Sequence, residues 1–130
     1  MRTESIIRLI RAALAARSHA YAPYSCFPVG AAVLTMDGRI FSGCNVENAS
    51  YPAGLCAERN AIAAAVAAGV EAFEALAVCG SREDYTMPCG ICRQVMAEFS
   101  IPVVYCAKSE EDWQALPLES LLPHAFLEIK

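Results

Sequence analysis

The sequence has little charge and no concentration of either sign. Charged residues make up 18% of its 130 positions, the formal net charge is -4, and there is no basic run. Long nucleic acid is gripped by clustered Lys and Arg, so that class of partner is set aside. No apolar run approaches the roughly 20 residues of a membrane span. The start, Met1-Arg2-Thr3-Glu4, leads into an amphipathic stretch and not into the apolar centre of a leader peptide. Internal repeats, low-complexity tracts and linkers are missing, so residues 1–130 are expected to form one compact domain. Histidine is scarce, and neither His19 nor His124 has the spacing of a metal ligand.

What the chain does have is apolar material and sulfur. It is 56% hydrophobic, enough for a substantial core, with apolar surface left over that favours burial in an oligomer. The seven cysteines are an odd number. With no leader expected, they read as reduced thiols of a cytoplasmic protein, where metal binding or catalysis outranks a disulfide framework.

Periodicity gives a coarse outline. Ile6, Ile7, Leu9, Ile10, Ala13 and Leu14 recur at helical spacing over 4–20. Strands are expected over 28–36 and 39–47, joined by the hairpin signal Asp37-Gly38. An alanine-rich helix runs from about Cys56 to Ala68, and Gly69 stops it. A strand over 75–79, a polar loop from Gly80 to Pro88, a helix from about Gly90 to Phe99 and a valine-rich strand from Pro102 to Ala107 follow. A last helical piece is expected around Leu116 to Leu122. A sheet with an antiparallel hairpin, later βα crossovers and helices on its faces satisfies this order.

Chemistry concentrates in two pieces, Cys56-Ala57-Glu58 and Pro88-Cys89-Gly90-Ile91-Cys92. Both fall at expected helix starts, where positive partial charge and free N–H groups favour thiolates. The spacing of Cys89 and Cys92 puts them on one side of a helical turn. Three thiolates can hold a zinc ion and leave its fourth position for water, as catalytic sites do. Glu58 can then move protons. Three thiolates on one zinc leave a net negative charge, which Arg59 and Arg93 are placed to offset by hydrogen bonds to the sulfurs. Taken singly, each element has a plainer reading. A lone Cys-x-x-Cys also marks structural zinc ribbons and dithiol redox proteins, and Glu58 suits any first helical turn. Cys26, Cys44, Cys79 and Cys106 read as small buried hydrophobes, although Cys44, Cys79 or Cys106 would be the fourth ligand of a structural zinc module. A redox dithiol at Cys89 and Cys92 leaves Glu58 without a role. Asn45 and Glu47 alternate on an expected strand, so they face one way, and an amide and a carboxylate there can hold two hydroxyls. The same run is also plausible turn chemistry.

The chain resembles cytidine deaminases of the small, homotetrameric, all-cysteine type. The resemblance runs from about Tyr21 to Phe126. It rests on Tyr24-Ser25, Phe27-Pro28-Val29-Gly30-Ala31-Ala32, Gly43-Cys44-Asn45-Val46-Glu47-Asn48-Ala49-Ser50-Tyr51, Cys56-Ala57-Glu58-Arg59, Pro88-Cys89-Gly90-Ile91-Cys92-Arg93-Gln94 and Leu121-Leu122-Pro123-His124-Ala125-Phe126. Zinc deaminases pair such a glutamate, which is not a ligand, with a P-C-x-x-C element. The resemblance implies a three-layer α/β/α fold around a mixed five-stranded sheet. It implies one zinc per subunit on Cys56, Cys89 and Cys92, and hydrolytic deamination of cytidine and deoxycytidine, with activated water attacking C4 and Glu58 as proton shuttle. Asn45 and Glu47 would bind ribose hydroxyls, Phe27 would pack on the pyrimidine, and the Ala57 backbone would contact the base. Ala49 and Tyr51 would reach a neighbouring subunit's site, and Phe126 would close over substrate. It further implies a homotetramer with shared sites and a place in pyrimidine salvage. A related deaminase of blasticidin-S type is the nearest rival, against which the Asn45-Val46-Glu47-Asn48 run argues for an intact ribose. His124 stands where this family commonly has a small residue, often glycine.

Overall fold

The computed structural model describes residues 1–128. Helix α1 (Thr3–Arg17) is followed by the hairpin β1 (Gly30–Thr35) and β2 (Ile40–Cys44), then helix α2 (Ala57–Ala67) and strand β3 (Phe73–Cys79). Helix α3 (Gly90–Glu98), strands β4 (Val103–Ala107) and β5 (Trp113–Pro117) and a short helix α4 (Leu118–Leu121) complete the order. The strands form one mixed sheet in the order β2-β1-β3-β4-β5. β1 runs antiparallel to both β2 and β3, β3 is parallel to β4, and β4 is antiparallel to β5. The expected five-stranded α/β/α architecture is present.

All six residues of β1 are buried, which explains why it reads as a continuous apolar run instead of an alternation: it is covered on both faces. Ala32 and Leu34 point to α1, where Ile6, Leu9, Ile10 and Ala13 meet them together with Ala75, Ala77 and Cys79. Ala31 and Val33 point the other way, to a core shared with Ala57, Ala61, Ile62 and Ala65 of α2 and Cys92, Met96 and Ala97 of α3. The alternation along each strand thus divides the sheet's cover into two apolar layers.

The hairpin turns at Gly38, whose φ of 89° is one that side chains rarely adopt. Gly43 serves a different purpose. A Cβ there would lie 2.6 Å from Ala61 N and 2.8 Å from Ala57 O, so its absence lets α2 lie directly on β2. Asn60 Nδ2 then donates to Cys44 O at 2.8 Å and fixes the helix on the strand.

Several expectations need correction. Leu116 is not helical: it belongs to β5, with Pro117, and α4 begins at Leu118. β5 lies at the sheet's edge with mostly exposed residues, a position that tolerates a proline. β2 stops at Cys44, so Asn45 and Glu47 lie past the strand. They are held beside it by single bridges from Val46 to Tyr21 and to Leu55. Cys26 is exposed, in a turn, with φ of 57°, and is no core residue. Cys44 is half-buried, while Cys79 and Cys106 are buried as expected.

Candidate active site

Cys56 and Cys89 are the N-cap residues of α2 and α3, each with extended backbone and no side-chain capping hydrogen bond. Their sulfurs therefore stay at the positive ends of two helices with nothing local to satisfy. Cys92 sits one turn into α3, fully buried. The Sγ atoms of Cys56, Cys89 and Cys92 all lie within 4.8 Å of one another, and those of Cys56 and Cys89 are 3.7 Å apart. Tetrahedral zinc with sulfurs at 2.3 Å spaces them about 3.8 Å apart. Among the described residues no other His, Cys, Asp or Glu joins this group. Cys44, Cys79 and Cys106 thus do not supply a fourth ligand, and the open position of a catalytic centre is preserved.

Protonation tells the same story. The Cys92 thiol's hydrogen bond, with help from the Arg59 guanidinium, pulls Cys56 down to about 5. Cys92 is pushed up by its hydrogen bond to Cys56 and by burial. Cys56 and Cys92 are thus pushed in opposite directions, and a cation among the sulfurs would let both ionise. The donor set fits one zinc ion.

Arg59 Nη2 donates to Cys56 Sγ at 3.4 Å, the kind of contact expected of it. Arg93 does not do this. Its Nε donates to Pro88 O at 2.7 Å and its Nη1 to Leu121 O at 2.8 Å. It ties the loop before Cys89 to the C-terminal segment, and the expected bond to a ligand sulfur is corrected accordingly. Gln94, the next residue, donates to Phe126 O at 2.6 Å.

Glu58 is 4% exposed on the first turn of α2, and burial raises its carboxyl to about 7. It lines a cavity of about 240 Å³ together with Cys56, Ala57, Cys89, Phe27, Asn45 and Glu47. Residues from four separate stretches of chain are thereby brought to one place. Asn45 Oδ1 accepts from Val29 N at 2.8 Å and its Nδ2 donates to Phe27 O at 3.0 Å, locking the amide between the chain on either side of Pro28. The Phe27 ring rests on Gly80, where a Cβ would come within 2.8 Å of it.

Tyr51 lies on an adjoining cavity of about 330 Å³ that shares Ser25 and Glu47 with the first. Ala49 and Phe126 are exposed and line neither cavity. Ser25, Val29, Thr86 and Met87 are cavity residues that sequence reasoning did not single out as site residues. Thr86 and Met87 come from the irregular stretch before Pro88, which carries no periodic signal. Only their place beside the Cys89 motif could have marked them.

Comparisons with known proteins agree with this geometry. Residues 3–108 match the family model described as the cytidine and deoxycytidylate deaminase zinc-binding region. The cytidine deaminase of Sporosarcina psychrophila is 49% identical over 122 residues, covering 92% of this chain and 89% of that protein. That of Halalkalibacterium halodurans is 45% identical over 120 residues, covering 91% of each. The crystal structure of cytidine deaminase from Burkholderia pseudomallei superposes with a TM-score of 0.86 at 50% identity, covering 92% of this chain and 97% of that one. With three sulfurs gathered beside a buried carboxylate and a family match across most of its length, the chain belongs to the cytidine and deoxycytidylate deaminase family.

Proposed function

We propose that the protein converts cytidine and deoxycytidine to uridine and deoxyuridine with release of ammonia, as one zinc-dependent nucleoside deaminase domain spanning 1–130. The observation that carries this reading is one cavity walled by Cys56 and Cys89 of the three-sulfur cluster, the buried Glu58 carboxyl and the Asn45–Glu47 pair. Cys56, Cys89 and Cys92 would hold the zinc, which supplies a water nucleophile at neutral pH. Glu58 carries the protons. As a carboxylate it accepts one from the attacking water and passes it to N3 of the pyrimidine. It then takes the proton of the hydroxyl newly formed at C4 and donates it to the amine, which leaves as ammonia while C4 becomes a carbonyl. A carboxyl near neutrality suits both halves of that task. Phe27 packs on the base, the Ala57 backbone contacts it, Asn45 and Glu47 hold the ribose, and Arg59 relieves negative charge on Cys56.

The family includes enzymes of nucleosides and of nucleotides, and the cavity favours the former. Among the described residues, none that lines it is Lys or Arg, and none that lines the adjoining cavity is either. Glu47 stays ionised there because hydrogen bonds from Ser25 lower its pKa. A phosphate brought beside that carboxylate would be repelled by it.

We also propose a cytoplasmic homotetramer, in pyrimidine salvage, whose sites are shared. No helix of the described chain is long and apolar enough to cross a membrane. Ala49 and Tyr51 are exposed and lie off the cavity that holds Cys56 and Glu58, as residues serving a neighbour's site would, and exposed Phe126 would close over substrate. Light scattering at micromolar concentration tests the assembly, and a monomer overturns it. Absorbance loss on cytidine and deoxycytidine, with and without a zinc chelator, tests the activity. Zinc-loaded protein inactive on both nucleosides overturns the assignment.

A further inference from the structure

Glu47 lies past the end of β2 on the cavity wall, and its hydrogen bonds in the structure come from one short turn of chain. Oε1 accepts from Tyr24 N and from Ser25 N, both at 3.0 Å. Oε2 accepts from the Ser25 hydroxyl. That hydroxyl oxygen in turn accepts from Phe27 N at 3.0 Å. Between them Cys26 adopts its left-handed φ of 57°, a conformation that disfavours side chains. The turn is bent so that two N–H groups and one hydroxyl converge on one carboxylate.

A carboxylate has about four lone-pair sites. With three occupied, one remains, and it is on Oε2. Asn45 is committed in the same way: one lone pair of Oδ1 is taken by Val29 N and one N–H of Nδ2 by Phe27 O. One amide N–H and one lone pair are left over. A sugar hydroxyl, which donates once and accepts, matches the pair by donating to Glu47 Oε2 and accepting from Asn45 Nδ2.

We propose that Ser25 is a positioning residue for specificity, holding the Glu47 carboxylate so that it presents one fixed acceptor to one hydroxyl of the substrate's sugar. The inference rests on the reading of Asn45 and Glu47 as the sugar-binding pair. Two backbone N–H groups anchor Oε1 whatever residue stands at 25; only the serine hydroxyl fixes the rotation of Oε2. Without it the terminal torsion is broad, and water competes for the oxygen that the sugar should meet. The reacting end of the cavity, at Cys56, Glu58 and Cys89, is untouched.

The test is steady-state kinetics of zinc-loaded Ser25→Ala, Ser25→Thr and Glu47→Gln on cytidine, 2′-deoxycytidine and 3′-deoxycytidine. The analogue lacking the bound hydroxyl is the one least affected by Glu47→Gln. Ser25→Ala should raise KM for cytidine about tenfold, the scale of one charge-assisted hydrogen bond, with kcat within about twofold. It should leave KM for that analogue unchanged, and Ser25→Thr should restore the parent value. An equal loss on all three substrates, a loss in kcat instead of KM, no loss on cytidine, or failure of Thr to rescue overturns the proposal. If Glu47→Gln itself weakens all three substrates alike, the sugar-binding reading of Glu47 has failed, and the role of Ser25 falls with it.

Discussion

On one face of the sheet, α1 lays Ile6, Leu9, Ile10 and Ala13 over alternate residues of β1 and β3, and almost everything there is apolar. On the other, α2 and α3 cover Ala31, Val33, Leu76 and Val78 just as tightly, yet their N-termini meet and carry three sulfurs and a buried carboxylate. Each face also holds a buried strand cysteine. Burial pushes Cys79, beneath α1, up to about 12 and Cys106, beneath α2 and α3, up to about 11. Cys56, half-buried at a helix start beside Arg59, is down at about 5. The residue type is constant across the three. What changes its chemistry is a hydrogen-bonding partner, a guanidinium and the exposed end of a helix.

The comparison breaks most visibly if the two faces are perturbed in turn. Glu58→Gln should cut kcat by about 10³-fold, within the range of a general acid–base group, while metal analysis still finds zinc. A zinc-loaded variant with full activity would dissociate Glu58 from the chemistry. The same substitution changes the response to pH in zinc-free protein. Burial raises the folded-state carboxyl from 4.5 to about 7. Between those values the native state keeps a proton that the unfolded chain has lost, so stability falls as pH rises. The unfolding free energy of Glu58→Gln, measured against the parent, should therefore increase across that window; a constant difference contradicts it.

Cys89→Ala should lose zinc and activity together, read by metal content per chain, whereas Cys79→Ala should retain both. On the quiet face, Leu9→Ala should cost about 3 kcal/mol of stability in denaturant melts with kcat/KM of the folded protein unchanged. A change in kcat there would mean that the two faces are coupled. Alkylation of the native protein at pH 8 should label exposed Cys26 and spare Cys79 and Cys106, as peptide mapping would show. Labelling of either buried thiol before Cys26 would contradict its burial. The smallest effect is at His124, where φ is 56°. Glycine takes that conformation freely, so His124→Gly should stabilise the protein by no more than about 1 kcal/mol. Destabilisation would show that the imidazole makes a contact worth more than the strain.

Cys89 with Cys92, and Cys56 with Glu58, stood out as candidate pairs because each pair is spaced within one helical turn, where geometry is local; that the fold brings the two pairs together was not in the spacing. The hairpin and α1 were legible for the same reason. β5 was not: Trp113 to Pro117 is an edge strand with few buried residues, so period and propensity say little, and Leu116 looked like the start of a helix. Arg93 was misread because its partners are backbone carbonyls, one of them on a distant segment that only the fold brings near. Cys26 was placed in the core by residue type alone, though its turn is shaped by bonds to Glu47 from the residues just before it.

The sulfurs of Cys56 and Cys89, 33 positions apart in sequence, are 3.7 Å apart in space. An ion bound between them would fasten the start of α2 to the start of α3 across α2, β3 and the loop that separate them. The cofactor is then a rivet as well as a reagent. Its binding energy is part of the folding energy, so metal scarcity would thin the population of intact molecules along with their turnover, and supply of the ion would set how long each copy lasts.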